Sequence, residues 1–163
     1  MQKVGLTIGK FAPFHKGHEY LIRTALKEVD VLYVLIYETN VIDIDIETRK
    51  KWLEQTFKNE NIKIIKALKP PTRYGMDNNS IKIQIDYIVK ILRENQIRKI
   101  DKFFSSEEYG KYVAERLNSE NIVVDKKRVN IPINATNIRK DIEKYKKYLN
   151  KEVYNSLKKH VEW

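Results

Sequence analysis

The chain has 163 residues, enough for one domain with a buried core and short for two. It contains no cysteine and therefore no disulfides, and its N-terminus lacks the apolar segment and cleavage site of a signal peptide. We therefore expect a cytoplasmic protein. No apolar run approaches the roughly 20 residues that a membrane span needs, which predicts no membrane partner.

The formal net charge is +10, a balance that suits polyanionic partners such as nucleic acid or nucleoside phosphates. The lysines are spread along the whole sequence, and the runs near the C-terminus have the alternating character of a solvated helix face. We therefore expect small nucleotides rather than nucleic acid as partners, and homo-oligomerisation stays open.

Apolar, β-branched runs alternate with amphipathic segments along the chain. The run VLYVLIY has the near-continuous apolar character of a strand buried on both faces, and Ser80 is the expected N-cap of the third helix. The pattern predicts five strands, at 4–8, 31–37, 62–68, 101–106 and 121–125. Between them it predicts four helices, at 17–28, 47–60, 80–95 and 109–121. Two tail helices are expected from Thr136 onward, with a break near Asn150.

This alternation predicts an open α/β fold, with five parallel strands, helices on both faces of the sheet and a helical C-terminal tail. Ligands of such sheets bind beyond the carboxyl ends of the strands. The loops expected at that edge are 9–16, 38–46, the region of Pro70, 105–109 and the segment from Asp125 onward.

The stretch GKFAPFHKGH stands where the first strand is expected to meet the first helix. Gly9 allows close approach of a ligand, Pro13 stiffens the loop, and Gly17 leaves room for a flat group against the main chain. His15 and His18 can donate hydrogen bonds to one side, where free helix amides also attract anions. The pattern therefore favours a phosphate site.

Two other interpretations of this stretch remain open on its residues alone. Two histidines three residues apart can share a metal ion, although the chain offers only His160 as a further imidazole. A capped turn with two incidental histidines is the plainer alternative.

The same stretch resembles the GxFxPxHxGH signature of the nucleotidyltransferase superfamily, whose members are Rossmann-like α/β proteins. A second superfamily motif, Ser-x-Thr-x-x-Arg, is similar to INATNIR, with Asn134 at the position where serine is usual. Asparagine caps helices and donates hydrogen bonds as serine does, so we expect function to be kept. The matching residues are Gly9, Phe11, Pro13, His15, Gly17, His18, Thr136 and Arg139.

Four further stretches, HKGHEYLIRTALKEVD, RKKWLEQTF, FSSEEYG and VDKKR, resemble one branch of the superfamily. That branch is the nicotinamide mononucleotide adenylyltransferase domain of the bacterial NAD-biosynthesis regulator, of the NadR type. The resemblance implies a single nucleotidyltransferase domain over 1–163 that transfers AMP from ATP to nicotinamide mononucleotide, giving NAD and pyrophosphate. It also implies Mg²⁺ carried by the ATP, with no metal ligand from the protein.

The resemblance also implies a role for each motif residue. His15, His18 and Arg139 would be catalytic, and Lys10 and Thr136 would hold the outer phosphates together with Arg139. The nucleotide would contact Gly9, Phe11, Gly17, Ser105, Ser106 and Asn134. The acceptor would contact Arg49, Trp52, Tyr74, Asp125 and Arg128.

Several of these roles have plainer alternatives. Asp125 and Arg128 also suit a surface ion pair, Trp52 suits the core, and Ser105 suits a helix cap. The branch usually carries tryptophans in the loop after the third strand, where this chain offers Tyr74 as a stacking plane. Other acceptors, such as phosphopantetheine, and a non-catalytic nucleotide-binding or RNA-binding protein are the alternatives to nicotinamide mononucleotide.

Overall fold

The computed structural model describes residues 2–72 and 75–161, and Tyr74 lies outside them. The five strands are β1 (Val4–Gly9), β2 (Val31–Tyr37), β3 (Ile62–Ala67), β4 (Lys102–Ser105) and β5 (Glu120–Val123). They form one sheet in the order β3-β2-β1-β4-β5, and every neighbouring pair is parallel.

The helices are α1 (Lys16–Leu26), α2 (Ile46–Thr56), α3 (Asn78–Glu94), α4 (Gly110–Arg116), α5 (Ala135–Lys140) and α6 (Lys151–Val161), with a 3-10 turn at Lys146–Tyr148. No helix in the described part of the chain has both the length and the apolar character to cross a bilayer. The predicted fold class, a Rossmann-like α/β sheet with helices on both faces and a helical tail, is confirmed.

Successive residues of a strand face opposite sides of the sheet, and the core divides accordingly. Phe104 of β4 packs in one apolar cluster with Trp52 of α2 and Leu157 of α6. Its neighbour Phe103 packs in the second cluster with Ile88 of α3. The sheet is therefore covered by α1, α2, α5 and α6 on one face and by α3 and α4 on the other.

The strand order places the ligand edge of the sheet. The chain winds outward from β1 through β2 to β3 and then returns to β4 on the other side of β1. A crevice opens between diverging connections at such a reversal, beyond the carboxyl ends of the two strands. Here those ends are Gly9 and Ser105, so the GKFAPFHKGH loop lies at the switch point.

The predicted cap of α3 was wrong, and the alternative role of Ser105 as a cap is not observed. Helix α3 begins at Asn78, because the carboxylate of Asp77 caps it by accepting the Ser80 N–H at 3.1 Å. Ser80 is one turn inside the helix, where its hydroxyl donates to Asp77 at 2.7 Å. Ser105 does not cap α4, since Tyr109 occupies that cap without a side-chain hydrogen bond.

The tail is less helical than the apolar pattern predicted. Helix α5 has only six residues, and the chain then passes through turns and the 3-10 turn before α6 begins. The predicted break near Asn150 is present, because the Asn150 side chain accepts the Val153 N–H at 2.9 Å and caps α6.

Candidate active site

Helix α1 begins at a pair of histidines that cap it reciprocally. The Nδ1 atom of His15 accepts the N–H groups of Gly17, at 3.0 Å, and His18, at 3.4 Å. The Nδ1 atom of His18 accepts the N–H of His15 at 3.1 Å. The backbone amides of His15, Gly17 and His18 are therefore already paired, which corrects the expectation that these groups are free for an anion.

This cap fixes the tautomer of both rings. A neutral imidazole carries one N–H, so an Nδ1 atom that accepts hydrogen bonds leaves the proton on Nε2. The rings of His15 and His18 stack with centroids 3.7 Å apart and planes inclined by 22°. The two stacked rings at the start of α1 thus each carry their proton on Nε2.

Both histidines are held neutral. Burial, with a smaller contribution from the Arg128 guanidinium, lowers the pKa of His15 to about 3. Burial, then the adjacent His15 and Arg128, lowers the pKa of His18 well below its ordinary value. Protonation at Nδ1 would also set an N–H against the backbone N–H groups of the cap, so the neutral donor form is the stable one.

Aromatic side chains hold the His18 ring in place. The Phe11 ring meets it edge-on at a centroid distance of 4.8 Å, and the Phe14 ring stacks on it at 6.0 Å. Phe11 has a φ of 50°, a left-handed conformation that costs an L-residue about 1–2 kcal/mol. Its ring is only 3% exposed, so packing of the buried ring offsets this strain.

Gly17 makes room for an imidazole rather than for a ligand. A Cβ atom at this position would lie 2.8 Å from Cε1 and 3.0 Å from Nδ1 of His15. The expected space for a flat group is therefore filled by the His15 ring itself. Gly9 packs similarly against the Phe11 ring.

Helix α5 brings a cation to the same loop. The Asn134 side chain caps α5 by accepting the Asn137 N–H at 2.8 Å. One turn later Arg139 donates to the Ala12 carbonyl at 2.7 Å and to the Thr136 hydroxyl at 3.3 Å. The second motif is thereby joined to the first across 127 residues of sequence.

Arg49 and Trp52 lie beneath the loop. Arg49 is 1% exposed and donates to the carbonyls of Ile44 at 3.2 Å, Lys10 at 2.6 Å and Tyr37 at 3.0 Å. Trp52 is buried in the core cluster. Neither side chain is among the residues that line the cleft, and the acceptor contacts assigned to them stay predictions.

Asp125 and Arg128 organise the loop after β5. The Asp125 carboxylate accepts the N–H groups of Val129, Asn130 and Ile131 at 2.8 to 3.0 Å, which lowers its pKa. Arg128 donates to the Ile133 carbonyl at 2.8 Å. The two side chains thus bind the loop backbone and do not form the ion pair considered above.

These elements enclose one cleft of about 580 Å³. It is lined by ten of the predicted nucleotide-site residues: Gly9, Lys10, Phe11, His15, Gly17, His18, Ser105, Ser106, Thr136 and Arg139. Asp125 and Arg128 line it as well, whereas Asn134 lies just outside as the cap of α5. The Ser105 hydroxyl donates within its own loop to the Glu107 carbonyl at 3.2 Å.

The motif analysis missed part of the cleft wall. Tyr37 ends β2, Gln84 lies in the second turn of α3, and Glu107 and Tyr109 follow β4. Position at a carboxyl strand end is the signal that identifies Tyr37, Glu107 and Tyr109. The sequence gives no such signal for Gln84, because its position in the cleft wall depends on how α3 packs against the sheet.

A family model for the citrate lyase ligase C-terminal domain matches residues 6–157. The chain belongs to this family. The trifunctional NAD biosynthesis/regulator protein NadR of Escherichia coli (strain K12) is 31% identical over 169 residues, covering 92% of this chain and 39% of NadR. The chain therefore spans about two fifths of the length of that curated relative.

Two solved structures share the fold of this family member. A bifunctional NMN adenylyltransferase/ADP ribose pyrophosphatase from Francisella tularensis, complexed with AMP and a Mn ion, has a TM-score of 0.73 at 22% identity, over 100% of this chain and 50% of its own. The Plasmodium falciparum nicotinic acid mononucleotide adenylyltransferase has a TM-score of 0.64 at 13% identity, and the match covers 98% of this chain and 96% of its own. The match to NadR confirms the predicted resemblance to the NadR type, and the two solved structures confirm the fold.

Among residues 2–72 and 75–161, no cluster of three or more histidine, aspartate or glutamate side chains is placed to hold a metal. The carboxylates lining the cleft are Glu107 and Asp125, and Asp125 already accepts three backbone N–H groups.

Stability of the chain is expected to fall between pH 6.5 and pH 5. The unfolded His15 takes up a proton below about pH 6.5, whereas the folded ring stays neutral down to about pH 3, so the unfolded state binds more protons in this window. His15 alone should lower the free energy of unfolding by about 2 kcal/mol at pH 5, and His18 adds in the same direction. Urea unfolding followed by circular dichroism at pH 7.5 and pH 5 measures the loss.

The control is His15→Asn, which keeps a cap acceptor near the Nδ1 position and does not titrate. Its unfolding free energy should depend less on pH across this window than that of the unaltered chain. Equal pH dependence in the two proteins would contradict the neutral, buried His15.

Asn134→Ser is expected to leave stability within about 0.5 kcal/mol and turnover unchanged or improved, because both side chains cap a helix equally well. Asn134→Ala, which removes the cap to the Asn137 N–H, should cost about 1 kcal/mol. Urea unfolding and pyrophosphate release measure the two effects. A collapse of turnover in a folded serine variant would show that the asparagine has a separate role.

Proposed function

We propose that the chain is an adenylyltransferase that transfers AMP from ATP to nicotinamide mononucleotide, giving NAD and pyrophosphate. The observation that carries the proposal is the pair of neutral imidazoles, stacked at 3.7 Å, whose Nε2–H groups are the donors left to meet a phosphate. The fold shared with the NMN adenylyltransferase of Francisella tularensis supports this reaction, and the similarity to NadR supports a place in NAD biosynthesis.

The reaction needs positioning and charge neutralisation rather than a protein nucleophile. A phosphate oxygen of the mononucleotide attacks the α-phosphorus of ATP and forms a new P–O bond. The bond between the α-phosphorus and the oxygen that bridges to the β-phosphorus breaks, and pyrophosphate leaves with that electron pair. The attacking oxygen is already ionised at neutral pH, so no general base is required.

Different cleft residues contact different phosphates of ATP in this proposal. His15 and His18 donate their Nε2–H groups to phosphate oxygens and stabilise the charge that develops as the bridging bond breaks. Arg139 and Lys10 neutralise the outer phosphates, and the Thr136 hydroxyl is available beside Arg139. Mg²⁺ bound to ATP supplies further neutralisation of the triphosphate when it is present.

Two features favour a mononucleotide acceptor beside the ATP. The cleft of about 580 Å³ continues past the histidines to Tyr37, Met76 and Gln84. Ser106 lines the opposite side of the switch point, where its hydroxyl can donate to a ribose or base, whereas the neighbouring Ser105 hydroxyl donates to the Glu107 carbonyl. The stacking role assigned to Tyr74 stays a prediction.

The test mixes the protein with ATP, Mg²⁺ and one acceptor at a time, and follows pyrophosphate. The acceptors are nicotinamide mononucleotide, nicotinic acid mononucleotide, phosphopantetheine and glycerol phosphate. Release with nicotinamide mononucleotide at the highest kcat/KM is the expected result. Faster release with another acceptor would reassign the substrate, and no release with any of the four would contradict adenylyl transfer to these phosphates.

A further inference from the structure

A second concave surface lies on the tail, outside the active-site cleft. It has a volume of about 680 Å³ and shares no lining residue with that cleft. We call it the tail groove; its lining residues are Glu143, Lys144, Lys146, Lys147, Leu149, Lys151, Tyr154 and Asn155.

The charge of the tail groove is strongly one-sided. Residues 139–159 carry eight lysines and arginines against three acidic residues. Glu143, the acidic residue of the lining, accepts the Tyr154 hydroxyl at 2.6 Å. Within the described chain, none of the four lining lysines lies within ion-pair distance of a carboxylate. The groove therefore presents positive charge that the protein itself does not neutralise.

Tyrosine rings alternate with these lysines. The Lys146 ammonium lies 4.5 Å from the centroid of the Tyr154 ring, and the Lys147 ammonium lies 5.1 Å from that of Tyr148. Tyr154 is the tyrosine of the groove lining, and its ring is buried in the core cluster. Tyr145 and Tyr148 lie beside the groove, are half-buried and have ring centroids 6.4 Å apart. Cations next to flat aromatic faces are the combination that single-stranded nucleic acids use, since phosphates meet the cations and bases stack on the rings.

The interruption of the tail helices creates this arrangement. The lysine runs were expected to form a solvated helix face. Residues 141–150 instead follow turns and the 3-10 turn, which fold the lysines against the tyrosines of the same segment.

We propose that the tail groove binds single-stranded polynucleotide through its four lysines, with bases stacking on the half-buried rings of Tyr145 and Tyr148 beside it. A membrane surface fits less well, because a bilayer-binding site presents apolar side chains for insertion. The large exposed hydrophobic residues of the described chain, Val41, Leu68, Met76, Ile83, Val123 and Val129, all lie outside residues 139–159.

The test measures fluorescence anisotropy of labelled 15-nucleotide oligothymidylate and oligouridylate at two salt concentrations. Excess ATP and Mg²⁺ keep the active-site cleft filled, so that only the tail groove is probed. The triple variant K146Q/K147Q/K151Q is compared with K27Q/K58Q/K63Q, which removes three exposed lysines elsewhere. The tail variant should bind at least tenfold more weakly, with a salt slope smaller by about 2, whereas the control variant binds as the unaltered chain does.

Two further binding measurements identify the kind of ligand that the tail groove takes. An abasic strand of the same length should bind at least tenfold more weakly than oligothymidylate, because it has no bases to stack. Vesicles rich in phosphatidylserine should bind weakly and equally to both variants. Equal losses in the two triple variants, an undiminished affinity for the abasic strand, or retention on vesicles without oligonucleotide binding would each overturn the proposal. Unchanged pyrophosphate release in the tail variant shows that the active site is intact.

Discussion

Replacing His18 with asparagine is expected to lower kcat for pyrophosphate release by about 10²-fold or more, while the fold is kept. The asparagine side chain places an acceptor near the position of Nδ1, so the cap on the His15 N–H can persist. It does not reach the position of Nε2, so the donor to the phosphate is lost. Steady-state kinetics with ATP and nicotinamide mononucleotide measure the change.

His18→Ala is the matched control, because it removes both the cap acceptor and the Nε2–H donor. It should lose turnover to a similar extent and stability by about 1 kcal/mol more than the asparagine variant. Near-normal turnover in a folded asparagine variant would contradict the role of the Nε2–H group.

Arg49→Met is expected to lower the free energy of unfolding by about 2 to 3 kcal/mol. Methionine fills a similar path through the core, but it leaves the carbonyls of Lys10, Tyr37 and Ile44 without the donors that now reach them. Burying a guanidinium costs desolvation free energy, and methionine does not carry this cost, so part of the lost stability is recovered. Urea unfolding measures the free energy.

Arg49→Lys separates charge from geometry, because an ammonium keeps the charge and cannot reproduce the planar fork. It should be intermediate in stability, and KM for ATP should rise in both variants as the Lys10 backbone loses its anchor. A loss below about 0.5 kcal/mol in the methionine variant would show that Arg49 does not hold the loop.

The sequence predicted the architecture well because its signals are local. Continuous apolar runs mark buried parallel strands, and the alternation with amphipathic segments leaves few topologies. The carboxyl ends of the strands then located the ligand edge. Glycine, proline and histidine spacing identified the loop that occupies it.

What the sequence could not provide depends on contacts between distant residues or on competition for hydrogen bonds. The spacing of His15 and His18 does not reveal that their Nδ1 atoms take up the amides expected to bind an anion. Arg49 is indistinguishable from a surface helix residue until three carbonyls from separate segments converge on it. The tail lysines likewise fit a helix pattern until the chain turns between α5 and α6.

The most direct test of the paired imidazoles is nitrogen-15 NMR of the histidine side chains at pH 7. The chain has three histidines, so His160 serves as an internal comparison for the other two. We expect His15 and His18 to be neutral Nε2–H tautomers whose Nε2 and attached-proton signals shift when a non-hydrolysable ATP analogue is added. Protonated rings, Nδ1–H tautomers, or signals that the analogue leaves unmoved would contradict the account.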